Sequence, residues 1–152
     1  HEIITGEFIS YVPQLNFYLD GTIKSIMKSH YVRENIKDEN ILKACKTAKI
    51  DKLITQLPHA FNTYCRNNLS EFSGGQKQRL AIAQALLNPN LRMIILDETL
   101  SNIDKVTSKN ILENIRTYYP RIGIILVTHD SSIVTENFQE VNLSDFPKDI
   151  KK

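Results

Sequence analysis

A chain of 152 residues, 41 % hydrophobic and 24 % charged, has the size of one domain or part of one and enough apolar content for a core. Its net charge of +2, with Lys and Arg mixed among Asp and Glu, excludes the strongly basic surface that nucleic acid selects, so no nucleic-acid partner is expected. No apolar run approaches the ~20 residues of a membrane span and no charged-then-apolar signal opens the chain, so any membrane role is expected to come from another chain or domain.

Phe8-Ile9-Ser10-Tyr11-Val12 is aromatic and β-branched and lies between Gly6 and Pro13, which predicts a short strand with Gln14 just past its carboxyl end. Asp20-Gly21 is a turn signal, Thr22 can cap a short helix through Ile23 and Ile26, and a second helix carries Ile41, Cys45 and Ala48 on one face. Asp51 can cap a further turn that Pro58 stops, and residues 62–68 read as a loop. Cys45 and Cys65 lack the CxxC spacing of zinc or redox sites; free thiols in a reducing compartment are the favoured reading, and a disulfide stays compatible with the sequence.

Ser73 predicts a helix N-cap, with Leu80, Ala83 and Leu87 at helical spacing until Asn88-Pro89 ends the run. Met93-Ile94-Ile95-Leu96 predicts a strand buried on both faces, residues 105–119 a helix closed by Pro120, and residues 123–127 another buried strand. This is a βαβ unit, whose right-handed crossover brings Asp97-Glu98 and His129 to one carboxyl sheet edge, where open α/β sheets bind ligands. One further strand is expected around residues 141–143, before a charged, frayed end.

The polar residues between these elements suggest phosphate chemistry. A helix opening Ser73-Gly74-Gly75 offers unpaired N–H groups, a hydroxyl and a positive dipole end, with no side chains to hold an anion away. Standing alone, the same residues are an ordinary glycine-softened helix start. Asp97 at the end of a buried strand is costly without a partner, and Mg²⁺ carried by ATP fits it. Otherwise Asp97-Glu98 is a solvated pair capping a turn, and His129 a polar residue leaving a strand. His1, His30 and His59 read as surface residues, and Lys77, Gln78 and Arg79 as a solvated helix face.

In order and spacing, these segments resemble the signature, Walker B, D-loop and H-loop of the ATP-binding-cassette (ABC) ATPases. Phe72-Ser73-Gly74-Gly75-Gln76 stands where the family has LSGGQ, and Tyr11-Val12-Pro13-Gln14 resembles its Q-loop. The resemblance implies an α/β fold: a partial P-loop NTPase (RecA-like) parallel sheet core with an inserted α-helical subdomain at about residues 20 to 90. It implies that Asp97 and Gln14 serve Mg²⁺, Glu98 is the general base, and His129 contacts the γ-phosphate. Ser73, Gly74, Gly75 and Gln76 would touch the nucleotide of an opposing subunit, with Asp104 at the dimer interface. The implied partners are ATP, a second nucleotide-binding domain and a transmembrane domain in the same polypeptide, at the cytoplasmic face of the cell membrane.

Residues 20–23 and the Leu57-Pro58 turn resemble the exporter type, including bacteriocin and toxin secretion members. The loop at residues 63–69 matches the exporter TxVGExG only at Thr63, and Thr128-His129-Asp130 is closer to importer or lipoprotein-release cassettes. None of the five glycines supplies the GxxxxGK[ST] phosphate loop. The family has that motif upstream of its Q-loop, so the chain is expected to be the later part of a cassette, inactive alone and prone to dimerise or exchange strands along the exposed sheet flank. A soluble translation-type cassette and a non-catalytic interaction fragment fit the same residues. The long coiled coil of repair and chromosome ATPases does not fit the short segment between Gln14 and Ser73.

Overall fold

The computed structural model describes residues 4–31, 35–134, 136, 138, 139 and 141. β1 (Ile4–Thr5) pairs antiparallel with β2 (Ile9–Val12). β3 (Gly21–Thr22) leads directly into α1 (Ile23–Lys28), where the Thr22 hydroxyl accepts from the Ser25 N–H, the predicted cap. α2 (Asp38–Thr47) buries Ile41, Ala44 and Cys45. α3 (Asp51–Gln56) follows, with Asp51 in its first turn rather than at its cap, which Ile50 occupies without a side-chain bond. β4 (Tyr64–Cys65) pairs antiparallel with β3, so the segment expected to be a loop contains a two-residue strand. Its partner lies some forty residues upstream, a pairing that no local pattern announces.

α4 (Gly74–Ala85), β5 (Met93–Asp97), α5 (Lys105–Tyr118) and β6 (Gly123–Val127) complete the described elements. The main sheet has the order β1-β2-β5-β6, and β2, β5 and β6 are parallel. The expected α/β class and βαβ unit are therefore present. Expectations at 141–143 lie outside the described residues, apart from Val141, which is exposed, and so does His1.

Burial corrects one expectation. β5 alternates, with Ile94 and Leu96 at 0 % exposure and Met93, Ile95 and Asp97 half-buried, while in β6 Ile125 and Val127 are exposed. The cause is topological. The chain steps from β2 to β5 to β6 in one direction across the sheet, and successive right-handed crossovers in one direction lay their helices on one face. That face holds Ser10, Val12, Ile94 and Leu96 against a core with Leu80, Ile82, Ile111 and Ile115. The Ser10 hydroxyl is tied to the Ala85 carbonyl at 3.1 Å. The other face leaves Ile9, Ile125 and Val127 exposed.

Cys45 and Cys65 are buried free thiols, in line with the favoured reading. Burial pushes Cys45 up to about 12 and Cys65 above its ordinary value, so both stay protonated and unreactive near neutrality. His30 is not a plain surface residue: it is half-buried, its Nδ1 2.6 Å from the Gln84 amide nitrogen. His59 is exposed, as expected. Among the described residues no helix is long and apolar enough to cross a membrane.

Candidate functional site

Parallel register fixes which side chains meet at the carboxyl edge. Tyr11 pairs with Ile95 and Val12 with Leu96, so Tyr11, Ile95 and Asp97 share the uncovered face. The Tyr11 hydroxyl donates to Asp97 Oδ2 at 2.6 Å, and this bond, with burial and the carboxylate charge, raises the phenol above its ordinary value. The carboxylate thus has a hydrogen-bond partner from the neighbouring strand, leaving Oδ1 as the oxygen able to meet a further ligand. Sequence reasoning missed Tyr11, because strand alternation gives its face but not which strand lies beside it.

Glu98 departs from the strand with φ +48°, a left-handed conformation unusual for a residue with a side chain. Its N–H still bonds the Val127 carbonyl at 2.9 Å, and the twisted backbone sends its carboxylate toward the end of β6. There Oε1 accepts from the His129 N–H at 3.1 Å and lies 2.9 Å from His129 Nδ1. Oε2 is buried and has no partner among the described residues. Thr99, fully buried, donates from its hydroxyl to the Val12 carbonyl at 2.7 Å, tying the turn after β5 to the end of β2.

His129 is exposed at its side chain, and the hydrogen bond to Glu98, then the Glu98 charge, raise its pKa above the ordinary value. With the proton of Nδ1 directed at Glu98, Nε2 remains for a ligand. Because the folded pKa is raised, the pair's stabilisation is fully present below the unfolded value near about 6.5 and is lost as pH rises through the folded midpoint. NMR titration is expected to give His129 a midpoint above that value, falling back in Glu98→Gln; equal midpoints in the two proteins would count against the pair. Beside it lies a cavity of about 300 Å³ lined by Glu98, Ser101, Asp104, Lys105 and His129. Lys105 Nζ is 3.4 Å from Asp130 Oδ2, bracing the start of α5 against the end of β6.

The start of α4 is a capping box. Ser73 Oγ accepts from the Gln76 N–H at 3.3 Å, and Gln76 Oε1 accepts from the Ser73 N–H at 2.9 Å. The Lys77 N–H goes to the Ser73 carbonyl, so Gly74 and Gly75 carry the N–H groups left for an anion. The two glycines differ. A Cβ on Gly74 would meet only Asn102 side-chain atoms at 3.8 to 3.9 Å, ordinary contact, whereas on Gly75 it would collide with the Asn102 carbonyl oxygen. Gly75 is therefore required by the packing of the chain on itself.

Asp104 is the N-cap of α5, accepting from the Thr107 N–H at 2.9 Å; that bond first, and Arg79 more weakly, lower its pKa. Gln14 is exposed two residues past the end of β2. The expectation of a solvated face at 77–79 fails at Gln78, which is 3 % exposed, and Arg79 is half-buried, donating to the Lys49 carbonyl at 2.5 Å. The bonds join Glu98 to His129 and Asp97 to Tyr11, while Ser73 and Gln76 bond each other and the glycine pair packs on Asn102.

A family model described as "ABC transporter" matches residues 5–101. The lactococcin-A transport/processing ATP-binding protein LcnC of Lactococcus lactis subsp. lactis is 41 % identical over 107 residues, which is 70 % of this chain and 15 % of that protein. The lactococcin-G-processing and transport ATP-binding protein LagD of the same organism is 38 % identical over 125 residues, 82 % of this chain and 17 % of that protein. The chain therefore spans less than a fifth of the length of these relatives. Among solved structures, that of a bacterial Atm1-family ABC exporter with ATP bound superposes with a TM-score of 0.76 at 28 % identity, over 86 % of this chain and 22 % of that one.

Proposed function

The chain belongs to the ABC transporter family and is exporter-like in its relatives, and on that premise we propose that it is part of a nucleotide-binding domain that hydrolyses Mg-ATP against a second such domain. The energy would drive export through a transmembrane domain of the same polypeptide, at the cytoplasmic membrane face, with residues of about 20 to 90 as the helical subdomain. The observation that carries this reading is the joining of Glu98 and His129 at the sheet edge where Asp97 also ends its strand.

The donor set suits Mg²⁺, which takes oxygen ligands and keeps several waters when bound with a nucleotide. Asp97 offers Oδ1, Gln14 a side-chain carbonyl, and the orphaned Glu98 Oε2 is the kind of buried acceptor a bound water satisfies. When bound, the cation would neutralise phosphate charge. Glu98 has committed Oε1 to His129, so Oε2 would be the oxygen that takes a proton from the attacking water once the opposing domain and nucleotide complete the site. His129 Nε2 would donate to the γ-phosphate. The N–H groups of Gly74 and Gly75 and the Ser73 hydroxyl would close on the nucleotide of the opposing domain, with Gln76 holding the cap and Asp104 at the shared interface.

The sequence contains no GxxxxGK[ST] motif, so hydrolysis is proposed to require a phosphate-binding loop from outside these residues. Among the described residues one sheet face is uncovered and β6 has no neighbour on its outer side, which supports a further segment, or a second copy, packing there. The test is Mg-ATP turnover by this chain alone and by a longer polypeptide carrying the loop. Turnover is expected only in the longer one; turnover by these residues alone, or none in a folded, dimeric longer protein, would overturn the reading.

A further inference from the structure

Gln78 is a polar side chain in the first half of α4 with only 3 % of its surface exposed, and both ends of its amide are used. Nε2 donates to the Gln14 carbonyl at 3.3 Å, and Oε1 accepts from the Asn102 N–H at 3.2 Å. Gln14 follows β2 and Asn102 lies in the turn between β5 and α5, so one side chain ties two loops of the sheet edge to a single helix. The same helix meets the same turn a second time, through Gly75 against the Asn102 carbonyl. It also meets the first loop a second time, where the Tyr18 hydroxyl donates to the Lys77 carbonyl at 3.0 Å.

Such an arrangement is costly to break. Two backbone groups and a buried amide would each lose a partner, and an unsatisfied buried polar group destabilises more than the bond itself contributes. A hydrophobic side chain would pack as well at this position but would leave the loops free to move independently of α4.

We propose that Gln78 is a positioning residue that fixes the loops at Gln14 and Asn102 to α4, so that both shift together whenever the helix does. The geometry stands without any ligand; its consequence for turnover rests on the nucleotide-binding reading above. Through Gln78 the position of Gln14 at one site is set by the helix whose N-terminus is offered to the other.

Amide hydrogen exchange by NMR on this chain tests the linkage. In Gln78→Leu, which removes both bonds, the Asn102 amide is expected to exchange about tenfold faster, the loss of roughly one hydrogen bond, while amides of β5 and the later turns of α4 keep their protection. In Gln78→Glu, which keeps an acceptor for the Asn102 N–H, Asn102 stays protected. Unchanged Asn102 exchange in Gln78→Leu overturns the proposal. So does a rise spread equally over the core, the mark of a residue that only stabilises.

The second arm uses the longer polypeptide that carries the phosphate loop. Gln78→Leu is expected to lower kcat about tenfold or more with little change in the KM for ATP, and Gln78→Glu to recover part of the loss. If Glu98→Gln stops turnover while Gln78→Leu turns over normally, the coupling fails and the ATPase reading survives. If the unsubstituted longer polypeptide, folded and dimeric, does not turn over ATP, the ATPase reading fails, and the exchange result stands by itself.

Discussion

Replacing Glu98 by Gln in a polypeptide that includes the phosphate-binding loop will lower ATP turnover by ~10²–10⁴-fold, the usual contribution of a positioned general base. Binding of Mg-ATP will persist. The substitution is close to isosteric: Gln keeps an Oε1 acceptor for the His129 N–H, which holds the side chain where it is. It leaves the left-handed backbone at residue 98 unchanged, so relief of strain cannot account for the effect. What it removes is the basicity of Oε2, the buried oxygen with no partner among the described residues. Steady-state turnover beside nucleotide binding by equilibrium dialysis separates the two effects. A variant that binds and hydrolyses normally would assign the proton transfer elsewhere, and one that fails to bind would recast Glu98 as a binding residue.

Gly75→Ala will destabilise the chain by about 1–3 kcal/mol, the usual cost of forcing a carbon into packed structure, whereas Gly74→Ala will be neutral or slightly stabilising. The two positions are adjacent in one helix and gain the same propensity when glycine becomes alanine. Any difference between them therefore comes from their surroundings. A Cβ at 75 runs into the Asn102 carbonyl oxygen, which is backbone and can yield only if the turn between β5 and α5 moves; a Cβ at 74 meets side-chain atoms at ordinary distance. Urea midpoints of the two variants against the parent chain read the difference directly. Equal midpoints would mean that the helix and the turn do not touch as described. The contrast also isolates function: an effect of Gly74→Ala on nucleotide turnover, with stability intact, reports crowding at the anion-facing end of α4.

The parts legible in the sequence are those whose cause is local. The cap at Ser73, the strand before Asp97, the helix that Asp104 opens and the return of β6 to the same edge all follow from short-range periodicity and from the handedness of a single crossover. The rest depended on what lies across space. Gln78 stands between Lys77 and Arg79 and reads as solvated, yet the loop at Gln14 and the turn at Asn102 enclose it. Gly75 reads as room left for a phosphate, while the nearest obstacle is the chain's own backbone. The runs Met93-Ile94-Ile95-Leu96 and Ile124-Ile125-Leu126-Val127 suggest burial on both faces, but helices cover one face only, because both crossovers travel the same way. Apolar runs report what a strand is suited to lie against, and among the described residues no helix lies against one of those faces.

The sheet order also has a consequence for synthesis. Ile9 pairs with Met93, so β2 leaves the ribosome roughly 80 residues before its partner, a delay on the order of 10 s at ordinary elongation rates. During that interval the strand has no parallel neighbour to saturate its outer edge, and α1 to α4 can gather only around one another. β5, α5 and β6 then emerge together as a contiguous βαβ unit whose strands lie close in sequence and can assemble quickly. Tyr11 meets Asp97 only when this late unit docks on the waiting strand. The hydrogen bond that orients the carboxylate thus cannot form until β5 is made, and a nascent chain halted before residue 93 holds β2 without its parallel partner.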